Sequence, residues 1–360
     1  MRQFCGVTLA LLLTAVSSTP QQRAGGGSVT GTIFCEDTKE PARRADVFLL
    51  EPVDPSLRFF PPGGGFGAKT ALDGSFTISN VTPGEYYVIA LYPGYISARW
   101  YIFPEAMAPE ATGLRDPLPS FVQRISVEPG GAEHVEIQLK RGGSISGVAT
   151  YSDGTPVPYM ALNPKIKMPD GTFEDGSSGA FQADDAGNYR VDGLPDGSYS
   201  LLGALSDGPP VAVLGGAQAG GGGWIMFAGG GMRPSSACII TVAAPKEYTG
   251  VNIVIPLTGV YNIGGNVVAK DGHRLNHGMV RLYPTGEPRF PLAARLAADG
   301  TFQFRRTPPD TYTVRVEDAS DWKMIKEQAT FVQSFSTASV NVTVTDADLA
   351  NVSVVVSTDQ

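Results

Sequence analysis

Histidine, cysteine and tryptophan are scarce in this chain, with three of each among 360 residues. Cationic charge is short as well: Lys plus Arg total 27 against 35 Asp plus Glu, a net charge of −8. Nucleic-acid binding needs a basic face that releases counterions from phosphates, so that class of function is excluded. After Val16 no apolar run approaches the roughly 20 residues of a membrane-spanning helix, so the mature chain is expected to carry no transmembrane segment. The three histidines, His134, His273 and His277, leave little material for general-base or zinc chemistry. His273 and His277 have i, i+4 spacing, but they follow the Asp271-Gly272 turn with no Cys or Glu beside them. They read as solvated loop histidines, with no metal set, and His134 alternates outward on a predicted strand. The Gly-x-Ser-x-Gly nucleophile elbow is missing too; Gly143-Ser144-Ile145-Ser146-Gly147 has the wrong spacing and opens a strand. A Ser–His–Asp set assembled only by the fold stays open, as a minor hydrolase reading.

What the chain has in quantity is glycine (44) and proline (28), beside 42% apolar residues. Short strands joined by turns produce that balance, and long helices do not. The N-terminus reads Met1-Arg2, then an apolar run from Val7 to Val16, then Ser17-Ser18-Thr19-Pro20, the pattern of a secretory signal peptide over residues 1–18. Export leaves Cys35 and Cys238, which an oxidising compartment permits to pair. They fall in different parts of the chain, so two separate buried thiols are favoured and a disulfide stays open.

An internal repeat decides the architecture. Asp73-Gly74-Ser75-Phe76, Ala186-Gly187-Asn188-Tyr189 and Asp299-Gly300-Thr301-Phe302 align at an interval of 113 residues, from 74 to 187 to 300. Tyr86, Tyr199 and Tyr312 recur at the same interval, each after a proline turn: Pro83-Gly84, Pro195-Asp196-Gly197 and Pro308-Pro309-Asp310. The glycine supplies a positive φ, the aromatic opens an alternating strand, and the chain returns through the tyrosine, which predicts a hairpin with a broad turn. Upstream strands match as well, around Val29–Ile33, Ser144–Val148 and Asn262–Val267. The expected fold is all-β: three tandem antiparallel Greek-key β-sandwiches after the signal peptide, at 24–140, 141–258 and 259–358.

Gly31-Thr32-Ile33, Ala45-Asp46-Val47-Phe48-Leu49, Asp73-Gly74-Ser75-Phe76-Thr77-Ile78 and Pro83-Gly84-Glu85-Tyr86-Tyr87-Val88 together form a recognisable pattern. It resembles the carboxypeptidase regulatory-like domain family, a transthyretin-like or prealbumin-like sandwich grouped with carbohydrate-binding-like folds. The second copy lacks only the alanine before its second strand, and the third has Asp310 where glycine is usual. The resemblance implies non-catalytic accessory modules, as in peptidases, transporters and surface proteins. Collagen-binding B-type adhesin repeats are similar in layout and form an internal isopeptide bond assisted by a Glu four residues after the hairpin tyrosine. Here those positions hold Ala90, Gly203 and Val316.

Acidic runs such as Asp184-Asp185 and Asp170…Glu174-Asp175 read as turn chemistry and not as Ca²⁺ ligands. The insertions are more informative. The first copy carries an excursion with Trp100, Tyr101 and Phe103, and the second carries Trp224 between Gly220–Gly223 and Gly229–Gly231. Aromatics on loops either stack on a sugar or protein partner or fold back to cap sandwich ends and module interfaces. Trp100, Tyr101, Phe103 and Trp224 are therefore the candidate ligand-binding residues. The expected function is an exported, non-catalytic binding or structural protein with no cofactor, located in the periplasm, at the cell surface or outside the cell. Its partner would be an envelope protein or a glycan.

Overall fold

Alternation builds the first strand: β1 (Gly27–Cys35) buries every second residue, including Val29, Gly31 and Ile33. The computed structural model describes residues 25–52, 66–98, 101, 119–176, 181–205, 224–287, 289–325 and 328–358. The expected signal peptide lies outside the described residues. After β1 come β2 (Asp46–Leu50), β3 (Gly67–Lys69), β4 (Ser75–Val81), β5 (Gly84–Leu91), β6 (Gln123–Val127) and β7 (Ala132–Leu139). A second block holds β8 (Gly143–Tyr151), β9 (Ala161–Lys167), β10 (Phe173–Asp175), β11 (Phe181–Gln182) and β12 (Asn188–Leu194). It continues with β13 (Gly197–Leu205), β14 (Trp224–Phe227), β15 (Ile240–Val242), β16 (Glu247–Tyr248) and β17 (Ile253–Ile255). The third holds β18 (Tyr261–Ala269), β19 (His277–Pro284), β20 (Leu292–Arg295) and β21 (Thr301–Thr307). It ends with β22 (Asp310–Ile325), β23 (Gln328–Ser334), β24 (Ala338–Val344) and β25 (Leu349–Val356).

The strands form sandwich-like pairs of sheets, and the same order recurs in each block. The smaller sheets run β4-β1-β7, β12-β8-β16 with β17 also on β8, and β21-β18-β25. The larger run β3-β2-β5-β6, β10-β9-β13-β14 and β20-β19-β22-β23, with β11 joining β9, β15 joining β13 and β24 joining β22.

Two expectations need correction. The closing strand of each block is parallel to the opening one: β7 to β1, β16 and β17 to β8, β25 to β18. The sandwiches are therefore mixed. A parallel pair requires a long crossover, and the strands in between supply it. The proline turn before each tyrosine also makes no hairpin. β4 pairs with β1 while β5 pairs with β2 and β6, so Pro83-Gly84 carries the chain from one sheet to the other.

Two repeated features explain the exact spacing. Gly74, Gly187 and Gly300 have φ of 81°, 79° and 79°, the left-handed region that glycine enters without steric cost. Tyr86, Tyr199 and Tyr312 are fully buried. Each donates its hydroxyl to the carbonyl four residues upstream: Thr82 at 2.8 Å, Pro195 at 3.0 Å and Pro308 at 2.8 Å. The ring fills the core while the hydroxyl satisfies a carbonyl at the crossover, so sheet change and core packing are locked together.

Non-repeating residues join the blocks. Arg141 pairs with Asp37, lies 4.4 Å over the Tyr95 ring and donates to its hydroxyl, while Gly142 N–H bonds Gly94 O at 3.0 Å. Between the second and third blocks one apolar cluster holds Leu202, Ile225, Phe227 and Met232 beside Phe304, Tyr312 and Val314. Cys35 is buried in β1 and Cys238 is exposed, and both are free thiols, so the expected burial holds for Cys35 alone.

Candidate functional site

The described residues separate the predicted aromatics. Trp100 and Phe103 lie outside them. Tyr101 is half-buried, edge-to-face with Phe121 at 5.7 Å and packed on the first core. Trp224 opens β14, is 3% exposed and donates its indole N–H to Arg306 O at 3.0 Å. A buried ring with its one donor already used has no face to offer a ligand, so in this structure Trp224 is a junction residue. Its sequence context held the signal: Trp224-Ile225-Met226-Phe227 is a continuous apolar run bounded by glycines, the pattern of a strand buried on both faces.

The third tryptophan, which the repeat-based reading passed over, is exposed. Trp322 is 37% exposed on β22, and Phe331, opposite it on β23, is 52% exposed. The two rings meet edge-to-face at 5.6 Å, and the His277 ring lies 5.9 Å from the indole. Trp322 Nε1–H donates to Ser320 Oγ at 3.1 Å, which fixes the ring plane. Asn276 holds the backbone beneath it, accepting from Trp322 N at 3.0 Å and donating to Trp322 O at 2.7 Å. Asn276, His277, Ala298 and Trp322 line a shallow depression of about 410 Å³. A rigid, half-exposed indole beside polar atoms is the arrangement by which proteins stack on a flat ligand.

Charge around this patch is organised by His273. Its Nε2 lies 2.7 Å from Asp321 Oδ2 and its Nδ1 lies 2.6 Å from Asp271 Oδ1. The hydrogen bond with Asp321, then that with Asp271, pushes its pKa above the ordinary histidine value. His277 opens β19 with Nδ1 3.2 Å from Ser320 Oγ. Both histidines are exposed, as expected, and His273 lies in the loop before β19, where it bridges two carboxylates, while His277 lies on the strand β19 and borders the indole. A serine and a histidine meet here, but the neighbouring carboxylate Asp321 is engaged by the other histidine, so the three do not form a Ser–His–Asp series. His134 is exposed on β7, as its alternation predicted, with Nδ1 3.2 Å from Thr30 Oγ1.

The acidic turns behave as turn chemistry. Asp73, Asp170 and Asp299 each accept from the backbone N–H and hydroxyl of the residue two positions on, and Asp184 accepts from Ala186 and Asn188. These bonds hold their carboxyls below the usual range, the side-chain bond being the largest cause at each. Among the described residues no group of three or more His, Cys, Asp or Glu is placed to hold a metal ion, and no helix is long and apolar enough to cross a membrane.

No family model matches the chain, and no curated protein matches it. Among solved structures it is similar to the Bacillus anthracis TIE protein, at 13% identity over 93% of this chain and 51% of that one, with a TM-score of 0.21. The chain thus spans about half of that protein's length. It is similar to a streptococcal ancillary pilin at 12% identity, covering 91% of this chain and 99% of the pilin, with a TM-score of 0.22. It is also similar to GBS52, a minor pilin of Streptococcus agalactiae, at 14% identity, covering 64% of this chain and 96% of that one, with a TM-score of 0.26.

Proposed function

We propose that the chain is an exported, non-catalytic binding or structural protein with an accessory role at the cell envelope. It is built as three carboxypeptidase regulatory-like modules at 24–140, 141–258 and 259–358. The observation that carries this reading is the division of labour among its residues. What repeats is turn and core, the glycines and hydroxyl-bonded tyrosines, while residues outside the repeat, Arg141, Trp224 and Arg233, lie at the contacts between blocks. A chain that commits its distinctive residues to joining its modules is organised as a spacer or scaffold. Cell fractionation with crosslinking tests it: the chain is expected in the envelope or external fraction, crosslinked to an envelope component. Recovery from the cytoplasm overturns the reading, as does turnover of a hydrolase substrate that is abolished by His277→Ala.

The second reading, glycan binding, is favoured by the Trp322 platform. An indole face with His277 and Phe331 beside it suits the apolar face of a sugar ring. Glycan-array binding that disappears in Trp322→Ala and persists in Tyr101→Ala supports it. No binding by the native chain overturns it.

A further inference from the structure

The sheet face that carries Trp322 extends well beyond the indole. Residues directly opposite one another on antiparallel strands share a face, and so do residues two apart along one strand. On β19 those residues are His277, Met279, Arg281 and Tyr283. Across on β22, Arg315 lies opposite Arg281 and Glu317 opposite Met279, and a register shift then brings Ser320 opposite His277. Trp322 follows two residues after Ser320, with Phe331 opposite it on β23, and Arg295 of β20 lies opposite Met279. One continuous surface therefore runs from the aromatic platform to a group of arginines. At about 3.3 Å per residue, His277 and Arg281 are roughly 13 Å apart along the strand.

The other copies carry apolar residues at the same places. Ile89, Leu202 and Arg315 are equivalent at the repeat interval, from 89 to 202 to 315, and so are Leu91, Ala204 and Glu317. Ile89 and Leu202 are buried, at 4% and 6% exposure, and Leu202 and Ala204 pack against the third block. In the third block the face is open, and the Arg315 side chain is 49% exposed. Any polar residue would serve solvation there. Solvation does not explain Arg281 set directly opposite Arg315, a placement that like charges make costly. Glu317 offsets part of that cost, 2.7 Å from Arg281 Nε and 3.2 Å from Arg315 Nε. A guanidinium has about five N–H donors and a carboxylate about four acceptor sites, so two arginines that share one glutamate keep donors for a second anion. Beside them burial, and then the charge of Glu317, push the Tyr283 phenol up, so its hydroxyl stays a neutral donor.

We propose that this face binds an acidic oligosaccharide, one whose sugar rings carry carboxylates: one ring stacks on Trp322, and a carboxylate further along the ligand pairs with Arg281 and Arg315. This ligand class rests on the glycan reading of the Trp322 platform and narrows it. Charge complementarity selects the class. The chain as a whole has a net charge of −8, yet on this face Arg281, Arg295 and Arg315 outnumber Glu317. The guanidinium fork suits a carboxylate, which it meets with two parallel hydrogen bonds. An acidic peptide would satisfy the arginines alone. The indole, held rigid by Ser320 and Asn276, asks for a flat ring on the same molecule. The separation along β19 makes that molecule an oligomer and not a single sugar.

Calorimetric titration of the full chain with galacturonate and mannuronate oligosaccharides, and with their methyl esters, tests this. The ester keeps every ring and removes the charge. The acid forms are expected to bind on the order of tenfold tighter than the esters at low salt, and the advantage should shrink as salt rises. Arg281→Gln with Arg315→Gln is expected to abolish that advantage, and Trp322→Ala to abolish binding of both forms. Arg305→Gln, on β21 in the other sheet, removes a charge of the same sign and is expected to keep the advantage. Circular dichroism checks that each variant is folded. If the double variant is not, Arg315→Lys, which keeps the charge and loses the fork, is expected to lose part of the advantage. Equal binding of acids and esters, or an acid preference that survives the arginine substitutions, overturns the acidic class and leaves the glycan reading standing. Polyglutamate bound as tightly as the acidic sugars also overturns it. Binding of none of the sugars, acid or ester, overturns both.

Discussion

Arg233 grips Asp310 with two guanidinium nitrogens, Nε at 2.6 Å from Oδ2 and Nη2 at 2.8 Å from Oδ1. Asp310 occupies the turn position where the first two copies have Gly84 and Gly197, so the residue that replaces this glycine is the receptor for an arginine from the preceding block. The same arginine donates Nη1 to Thr285 O at 3.0 Å, and Tyr312, whose hydroxyl caps the crossover, lies against Met232. Around it Phe173, Phe227 and Phe290 form a chain of rings 6.1 and 5.9 Å apart, and Arg289 donates to Phe173 O at 2.8 Å. The second and third blocks are therefore joined by a packed, hydrogen-bonded contact and not by a loose linker.

Arg233→Ala and Asp310→Gly are each expected to destabilise the chain by about 1–3 kcal/mol, because a bidentate, half-buried pair loses its partner. The double variant is expected to cost little more than either single one, and a double-mutant cycle by chemical denaturation checks the coupling. Acid acts on the same contact. The hydrogen bond from Arg233 holds the Asp310 carboxyl below the usual range. The stabilisation is therefore present above the unfolded carboxylate value of about 3.9 and is lost as pH falls through the lower folded value. In Asp310→Gly that part of the acid sensitivity is expected to disappear.

Gly147→Ala is expected to cost about 1–3 kcal/mol. A Cβ at this position would stand 2.1 Å from Val251 O and 3.0 Å from the Tyr189 hydroxyl, and the equivalent atoms at Gly31 and Gly265 would stand 2.2 and 2.0 Å from Val135 O and Val352 O. The parallel closing strand runs directly over these glycines. Thermal unfolding compared with Ser146→Ala, one residue away on the same strand, checks whether the loss belongs to the close approach.

Tyr199→Phe keeps the ring and removes the hydroxyl, leaving Pro195 O without its donor in a fully buried corner. The expected loss is about 1–2 kcal/mol, and urea denaturation measures it.

The repeat made the glycine turns, the tyrosines and the number of sheets legible, because each is dictated by local sterics or by period-two alternation. Strand pairing was less legible. Phe76 and Tyr86 flank a turn whose residues suit a hairpin, and only the tertiary core, in which Tyr86 reaches back to Thr82, sends β4 and β5 to different sheets. Trp224 looked like a loop residue because its glycine flanks outweighed its apolar neighbours. Trp322 escaped notice because β22 runs 16 residues where the matching β5 and β13 have 8 and 9, so it lies beyond the segment that repeats. The exposed platform belongs to a strand extension that comparison among the copies does not reveal.

Trp322 and Trp224 are expected to differ in access to solvent. Acrylamide quenching of the native chain should show a readily quenched component that Trp322→Phe reduces and Trp224→Phe leaves unchanged. Equal quenching in the two variants would contradict the placement of the exposed indole.

His273 carries the clearest pH dependence outside the carboxylates. Bonds to Asp321 and Asp271 raise its pKa above the ordinary value. Their stabilisation is thus fully present below the unfolded histidine value of about 6.5 and is lost as pH rises through the raised folded value. The group is 40% exposed, so solvent screens the effect and the contribution to global stability is small. Its local consequence is larger. Asp321 precedes Trp322 on β22, and His273 stacks 6.0 Å from Phe335, just before β24. Deprotonation therefore loosens the contact that ties the turn before β19 to the strand bearing the platform. An NMR titration is expected to place the His273 resonance above free imidazole. Asp321→Asn should remove more of the shift than Asp271→Asn, because the Asp321 bond is the largest contribution. Equal loss in both variants, or titration at the free value in the native chain, would show that the two carboxylates do not hold the ring as described.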